Sequence, residues 1–297
     1  MKTTPRLKIA IQKSGRLNAD SLDLLVRCGL KIRVHPNSLL CHGENLPIDV
    51  LFVRDDDIPT LVMDGICDLG IVGENVLLEK TGGSHKSTAS FNTLKTFGFG
   101  LCRLSIAVPE GMTYTAPSNL NGLKIVTSYP NLLQEYLTKH HIQAHILTIS
   151  GSVEIAPRVG MADAICDLVS TGRTLEEHGL KEVAEVIKTQ AVLIQTTHAM
   201  ELEKTQTLEL LMRRMDGVLQ AQESKYIMFH APKSALEAIK KMLPGFESPT
   251  IMPLEGVTDK VAVHAVSSEG VFWNTLEKLK QAGASSILVL PIEKMMN

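Results

Sequence analysis

The sequence predicts an α/β fold with two similarly built lobes, followed by a separate βαββαβ unit, and three observations carry this. Across the first two thirds of the 297 residues, short β-rich runs alternate with helical patterns, the signature of largely parallel strands joined by helices. Residues 64–73 (DGICDLGIVG) and 163–172 (DAICDLVSTG) match at six of ten positions, among them Asp64/Asp163, Cys67/Cys166 and Asp68/Asp167. Ten residues do not prove a duplication, because two βα units also match by chance; read functionally, the echo describes two lobes around a cleft. From 225 to 291 the order becomes strand, helix, strand, strand, helix, strand, the split-βαβ, ferredoxin-like arrangement. At roughly 150 residues per domain the length accommodates two or three such units.

Taken in order, residues 7–11 read as a strand, 12–16 as a loop and 18–28 as a helix, with Asn18 as its cap and Gly29 as its stop. Residues 48–53 are the next strand. Asp57 ahead of Ile58-Pro59 starts a helix, because proline is tolerated in a first turn whose amide lacks a partner anyway. Residues 69–72 form a strand, and 84–96 are polar, unperiodic and read as a surface excursion. Strands follow at 101–108, 124–127 and 145–149, with a helix at 130–140 between the last two. A buried strand then delivers Asp167, a helix runs from Thr174 to about His178, and 191–195 is a strand. Leu208, Leu211, Met212, Met215, Val218 and Leu219 form one apolar stripe, so their helix packs against a core. The tail reads as strand 226–230, helix 233–242, strands 250–254 and 261–266, helix 269–281 and strand 286–290. Trp273, the only tryptophan, sits on the last helix and is expected in its core.

Composition narrows the function classes. Hydrophobic residues make up 44% and charged residues 21%, an ordinary globular balance. With 30 Lys+Arg against 32 Asp+Glu there is no global field for nucleic acid or an acidic membrane, and 4% aromatics leave few platforms for stacking bases. Five scattered cysteines without C-x-x-C spacing argue against a disulfide framework or a thiolate zinc site and fit a reducing cytoplasm. The apolar run at 7–11 is too short for a signal-peptide core, and no stretch approaches the 18 to 20 apolar residues of a membrane span.

Three segments could carry chemistry. In ICDLVSTGRTL at 165–175 a strand ends at Asp167 and a hydroxyl-rich loop around Gly172 enters a helix. Such a turn aims backbone N–H groups and hydroxyls at one point and suits a phosphate monoester, with Asp167 beside it to accept hydrogen bonds from sugar hydroxyls. The alternative is an ordinary capped βα turn, since this is neither a Walker A loop nor a G-x-G-x-x-G fingerprint. Gln12-Lys13-Ser14-Gly15-Arg16 places two cations around a glycine, which suits an oligophosphate and equally a solvated loop. Asp55-Asp56-Asp57, after Arg54, could hold a divalent cation, but Asp57 serves better as a helix cap, so no resident metal site is expected. Among the ten histidines none falls in zinc spacing, and no G-x-S-x-G or Cys/His arrangement marks a covalent nucleophile.

KIAIQKSGRL at 8–17, PIDVLFVRDDDIP at 47–59, DLGIVGEN at 68–75, GSVEIAP at 151–157 and DAICDLVSTGRT at 163–174 together resemble the ATP phosphoribosyltransferases of histidine biosynthesis. AGASSILVLPIEKMM at 282–296 resembles the C-terminal regulatory domain of the long form. The resemblance implies a two-lobed catalytic part like the periplasmic binding proteins, with lobe I at 1–100 and 185–224 and lobe II at 101–184. It implies a regulatory domain at 225–297 that binds histidine as feedback inhibitor, and a homo-oligomer moving between dimer and hexamer. The reaction implied joins N1 of ATP to C1 of 5-phosphoribosyl 1-pyrophosphate and releases pyrophosphate, with Mg²⁺ carried by the substrate. By motif, Asp167 and Ser170, Thr171, Gly172, Arg173 and Thr174 would hold the ribose and its 5-phosphate, Arg173 less by its side chain than the neighbouring backbone. Lys13, Arg16 and Arg54 would face pyrophosphate or ATP phosphates, with Tyr129 and Glu154 near the nucleotide. His230, Ser248, Thr250 and Ser267 are the candidate histidine contacts. Two lobes around a cleft also describe a solute-binding module, and pyrophosphate release separates the two.

Overall fold

The apolar runs become central strands. In the computed structural model, which describes residues 5–35, 38–82, 91–242, 249–268 and 272–296, β1 (Leu7–Gln12) has Leu7, Ile9, Ala10 and Ile11 fully buried. A nearly unbroken apolar strand is what a parallel sheet covered on both faces requires. The chain divides into two compact units, residues 1–26 with 30–207 and residues 27–29 with 208–297.

In the first unit β1 is followed by α1 (Arg16–Arg27), β2 (Leu40–His42), β3 (Ile48–Val53), α2 (Ile58–Met63), β4 (Leu69–Gly73), α3 (Glu74–Lys80) and β5 (Phe91–Thr96). The chain then crosses to a second sheet through β6 (Cys102–Pro109), β7 (Lys124–Thr127), α4 (Pro130–Lys139), β8 (His145–Thr148), β9 (Ala164–Val169), α5 (Arg173–Glu177) and β10 (Leu180–Thr189). It returns to the first sheet as β11 (Ala191–Thr196). The sheets have the orders β2-β3-β1-β4-β11-β5 and β8-β7-β9-β6-β10. Apart from β2 these are one topology used twice: second strand, first, third, the strand that enters from the other lobe, fourth. In both lobes the third strand, β4 or β9, has a parallel neighbour on one side and an antiparallel one on the other.

The repeat is real in three dimensions, but its register differs by four residues from the echo in the sequence. Asp68 accepts the Lys8 N–H at 2.7 Å and returns its own N–H to the Lys8 carbonyl at 3.0 Å. Asp163 does the same with Lys124 at 2.8 and 2.9 Å. The ladders agree, pairing Ile9 with Leu69 and Ile125 with Ala164. Asp68 therefore corresponds to Asp163, and Asp167 falls opposite the buried Val72 rather than Asp68. Matching letters slid one strand along the other, because it rewards residue type and ignores which aspartate closes the strand start.

Other expectations are corrected in detail. Asn18 lies inside α1 and donates through Nδ2 to the Gln12 carbonyl at 2.6 Å, tying the helix start to the end of β1 instead of capping it. Asp57 makes no side-chain cap; residues 55–57 form a 3-10 turn running directly into α2, with Pro59 in its first turn as expected. Residues 91–96, read as part of a surface excursion, form β5 at the sheet edge beside β11, while 84–90 lie outside the described residues. β10 was invisible in the sequence because its burial is graded along both faces. It pairs with β6 through Thr189, so the chain returns to the first sheet only at 190–191 and not at 185.

The second unit is built on the later turns of α6 (Leu202–Gln222), whose Leu208, Leu211, Met215 and Val218 are buried. Then follow β12 (Ser224–Pro232), α7 (Leu236–Met242), β13 (Thr250–Leu254), β14 (Val257–Ser268), α8 (Phe272–Gln281) and β15 (Ser285–Pro291). The sheet order β13-β14-β12-β15, with every pair antiparallel, is the ferredoxin-like arrangement. Its core joins Ile227, Phe229 and Val263 to Ile239 and Leu279 on the helices. Trp273 does not join it: its side chain is 77% exposed. The buried stripe of α8 runs through Thr275 and Leu279, and two residues from Thr275 is about 200° around a helix.

Candidate active site

The carboxyl ends of the parallel strands β1, β3, β4 and β9 meet at one cleft. This is where an open α/β sheet collects its ligand, because the loops there are not held by hydrogen bonds to the sheet. A cavity of about 260 Å³ is lined from lobe I by Gln12, Gly15, Asp55 and Asn75 and from lobe II by Leu168 and Ser170. Among the described residues no helix is long and apolar enough to cross a membrane.

The structure brings Lys13 and Arg54 together. β1 and β3 are neighbours with Gln12 paired to Val53, and the Lys13 N–H donates to the Val53 carbonyl at 2.7 Å, so both cations leave adjacent strand ends and are exposed. Arg16 is the first residue of α1, after the Gly15 turn (φ 95°). Asp56 lies just beyond; burial, then Asp55 and Asp57, hold its carboxyl above the usual range against Lys80 and Arg54. Among the described residues no three His, Cys, Asp or Glu side chains converge on one point as metal ligands would.

On the other lip Asp167 lies within β9, which runs two residues past it to Val169 and does not stop at Asp167 as expected, because Leu168 and Val169 still pair with β6. Burial pushes its carboxyl up, the Leu168 N–H at 2.8 Å opposes this, and the charge of Glu154 adds to it. A carboxylate in this state gains from any further donor brought to it. The loop after it turns at Gly172 (φ 82°, ψ −9°), whose Cβ position is open space, into α5, where Thr174 falls in the first turn. Arg173 pairs with Glu177 at 2.9 Å in solvent, so its guanidinium turns along the helix. Ser170 is held from behind: Arg103 Nη1 donates to its carbonyl at 3.2 Å, while Arg103 Nε and Nη2 grip Glu182 at 2.6 and 2.5 Å and Ser105 Oγ donates to Glu182 at 2.8 Å.

Tyr129 of lobe II reaches Asn75 of lobe I. Burial pushes its phenol up while a hydrogen bond from Asn75 Nδ2 (2.9 Å) opposes this, and the charges of Asp55, Asp167 and Asp56 push the same way as burial. Carboxylates of both lobes therefore act on one partly buried ring. Glu154 stands in a 3-10 turn at 153–155, near enough to Asp167 to affect it. A second cavity of about 330 Å³ is lined by Asp56, Glu79, Lys80, Ser128, Tyr129 and Asn131.

Sequence reasoning missed Asn75, Glu79, Arg103, Glu182 and Thr189. The signal for the first two was present: α3 carries Asn75 and Glu79 four residues apart around buried Val76, Leu77 and Leu78. Arg103 and Glu182 are 79 residues apart and had no local signal. In the second unit His230 and Thr250 project from the same face of the sheet, with Met252 opposite Ala262 and Ala262 opposite His230. Ser267 is buried on the other face and is not brought to them, and Ser248 lies outside the described residues. On the same face as His230, Tyr226 and His264 share a 2.5 Å hydrogen bond.

Comparison with known proteins covers both units. The HisG family, described as ATP phosphoribosyltransferase, matches residues 54–217, more than half of the chain, and the HisG C-terminal domain matches residues 221–294. Among solved structures, the ATP phosphoribosyl transferase (HisG:HisZ) complex from Thermotoga maritima is 29% identical, covering 71% of this chain and 98% of that one, with a TM-score of 0.58. The alkanesulfonate-binding protein SsuA from Xanthomonas axonopodis pv. citri is 17% identical over 72% of this chain and 74% of that one, with a TM-score of 0.46. The first unit has the two-lobed, periplasmic-binding-protein-like architecture, and the second is the added C-terminal domain. The chain belongs to the ATP phosphoribosyltransferase family, enzymes of histidine biosynthesis, as a member of its long form.

Proposed function

We propose that the cleft joins N1 of the adenine ring of ATP to C1 of 5-phosphoribosyl 1-pyrophosphate, that pyrophosphate leaves, and that histidine inhibits the reaction through the C-terminal domain. The observation that carries the phosphoribosyl assignment is the half-buried carboxyl of Asp167, held above the ordinary carboxylate range, beside a loop braced at Ser170. Two vicinal ribose hydroxyls supply the donors this carboxylate lacks, and the backbone amides and hydroxyls from Ser170 to Thr174 suit the 5-phosphate. In this reading Lys13 and Arg54, exposed on the opposite lip, together with Arg16 serve the leaving pyrophosphate, and Tyr129 and Glu154 serve the adenine nucleotide.

No general base is required, since the attacking ring nitrogen carries its own lone pair. The C1–O bond breaks as charge grows on pyrophosphate, so alignment of two substrates and cations at the leaving group account for the catalysis. Mg²⁺ bound to pyrophosphate supplies further neutralisation of that charge. Asp55 and Asp56, which face the cavities without forming a cage, suit an ion that arrives with its substrate. Apo protein passed through metal-free buffer should therefore retain no stoichiometric Mg²⁺.

In this reading histidine binds the outer sheet face of the C-terminal domain, where His230 and Thr250 share one side. A coupling of about 1 to 3 kcal/mol suffices for regulation, and assembly as dimers or hexamers would transmit it between copies. The deciding assay mixes protein, ATP, 5-phosphoribosyl 1-pyrophosphate and Mg²⁺ and follows pyrophosphate, with and without histidine. Binding of both substrates without pyrophosphate release would make this a binding module. Release that histidine does not slow, or slows equally in His230→Ala, would remove the regulatory assignment.

A further inference from the structure

The start of α4 lacks a cap of its own. Tyr129 precedes it and makes no side-chain cap, and Pro130 in the first position has no N–H to donate. The next two N–H groups, of Asn131 and Leu132, are the orphan donors of the helix, and Leu133 already donates to the Tyr129 carbonyl at 3.1 Å. Both orphans are taken by one residue of the other lobe. Glu79 Oε1 accepts from Asn131 at 2.9 Å, and Oε2 accepts from Leu132 at 3.0 Å. The Glu79 carbonyl accepts from Asn131 Nδ2 at 2.9 Å as well. One turn earlier on α3, on the same face, Asn75 donates to Tyr129 and exchanges hydrogen bonds with buried Thr189 at 2.9 and 3.1 Å, where the chain crosses between the lobes.

We propose that Glu79 is a latch: a carboxylate of lobe I that caps a helix of lobe II and so holds the two lobes at the angle in which Asp55 and Asn75 of lobe I share one cavity with Leu168 and Ser170 of lobe II. Asn75 marks the crossover side of this contact, and Glu79 lies one helical turn further out, where a small rotation separates the partners most. Glu79 is thus a positioning residue, acting on both substrates through the lobe angle and on neither directly. The inference rests on the phosphoribosyl transfer proposed above.

Without the latch the lobes sample open arrangements, and apparent affinity falls by the fraction of molecules still closed. Glu79→Ala should raise KM for ATP and for 5-phosphoribosyl 1-pyrophosphate together, by roughly tenfold each, with kcat within about twofold of the parent. A second variant separates latch from cap: Glu79→Ala with Asn131→Asp restores negative charge at the helix start from within lobe II, without joining the lobes. Thermal stability should recover in it while both KM values stay raised. KM values that recover with stability, or never rise, reduce Glu79 to a helix cap and overturn the proposal. A fall in kcat alone, or a rise in only one KM, overturns it too. If the parent protein releases no pyrophosphate, the functional reading fails instead; dissociation constants of the two substrates then test the latch by the same criterion.

Discussion

The two lobes use one device to start their third strand and treat it differently. Asp68 in lobe I and Asp163 in lobe II each close a strand start by exchanging hydrogen bonds with a lysine backbone, Lys8 or Lys124. Asp68 is buried and also takes Lys204 Nζ at 2.9 Å, whereas Asp163 is exposed and has only the strand to serve. Four residues on, the contrast reverses. Lobe I buries Val72, and lobe II places the charged Asp167. A duplicated scaffold therefore divides its labour: one lobe invests a buried ion pair in holding together, and the other leaves a carboxylate short of partners where a ligand can supply them.

The largest way to break this comparison is Asp68→Ala, which strands Lys204 and the Lys8 N–H and should cost about 3 kcal/mol in urea unfolding. Asp163→Ala should cost no more than about 1 kcal/mol. Equal losses would mean that burial of the lobe I clamp contributes nothing beyond its backbone bond. Next in size is Asp167→Asn, expected to weaken 5-phosphoribosyl 1-pyrophosphate by roughly 10- to 100-fold, the worth of charged hydrogen bonds, while ATP binds nearly as before. Titration calorimetry with each substrate decides, and matched losses would take Asp167 out of the ribose role.

The same substitution should stabilise the free protein. The folded carboxyl titrates above the ordinary 3.8, so the native state holds a proton more readily than the unfolded chain. The cost of the charge is complete above the folded value and vanishes below 3.8. The Tm advantage of Asp167→Asn should therefore be present at neutral pH and disappear on acidification; an advantage that persists at pH 3 would locate the gain elsewhere.

The smallest effect concerns the brace behind Ser170. Glu182→Gln should raise the KM for 5-phosphoribosyl 1-pyrophosphate by about threefold without changing that for ATP, because it loosens Arg103 and not the nucleotide side. The hydrogen bond from Arg103 holds the Glu182 carboxyl below the ordinary 4.5, aided by Ser105. Its contribution is whole above 4.5 and is lost as pH falls through the lower folded value. Acid unfolding of the parent should show a loss below pH 4.5 that the Gln variant lacks.

Much of the catalytic unit was readable in advance because its signals are local. Ile48 to Val53, Lys124 to Thr127 and Thr250 to Leu254 are strands at the residues their composition indicates. Asp167 stands out as the charge on an otherwise apolar strand, and the Gly172 turn follows it. Arg103 and Glu182 stayed hidden because neither is unusual until an antiparallel pairing of β6 with β10 sets them side by side. Trp273 misled because aromatic size argues for burial, while the phase of α8 turns it outward.

By itself the amino-acid order determined the alternation of strands and helices, the family and the residue types at the cleft, since each depends on neighbours a few positions apart. Only the tertiary structure decided the register of the repeat and the use of Glu79 across the cleft. A strand start chooses its aspartate, and a helix start its cap, by hydrogen bonds to groups 39 to 60 residues away, which no local pattern encodes.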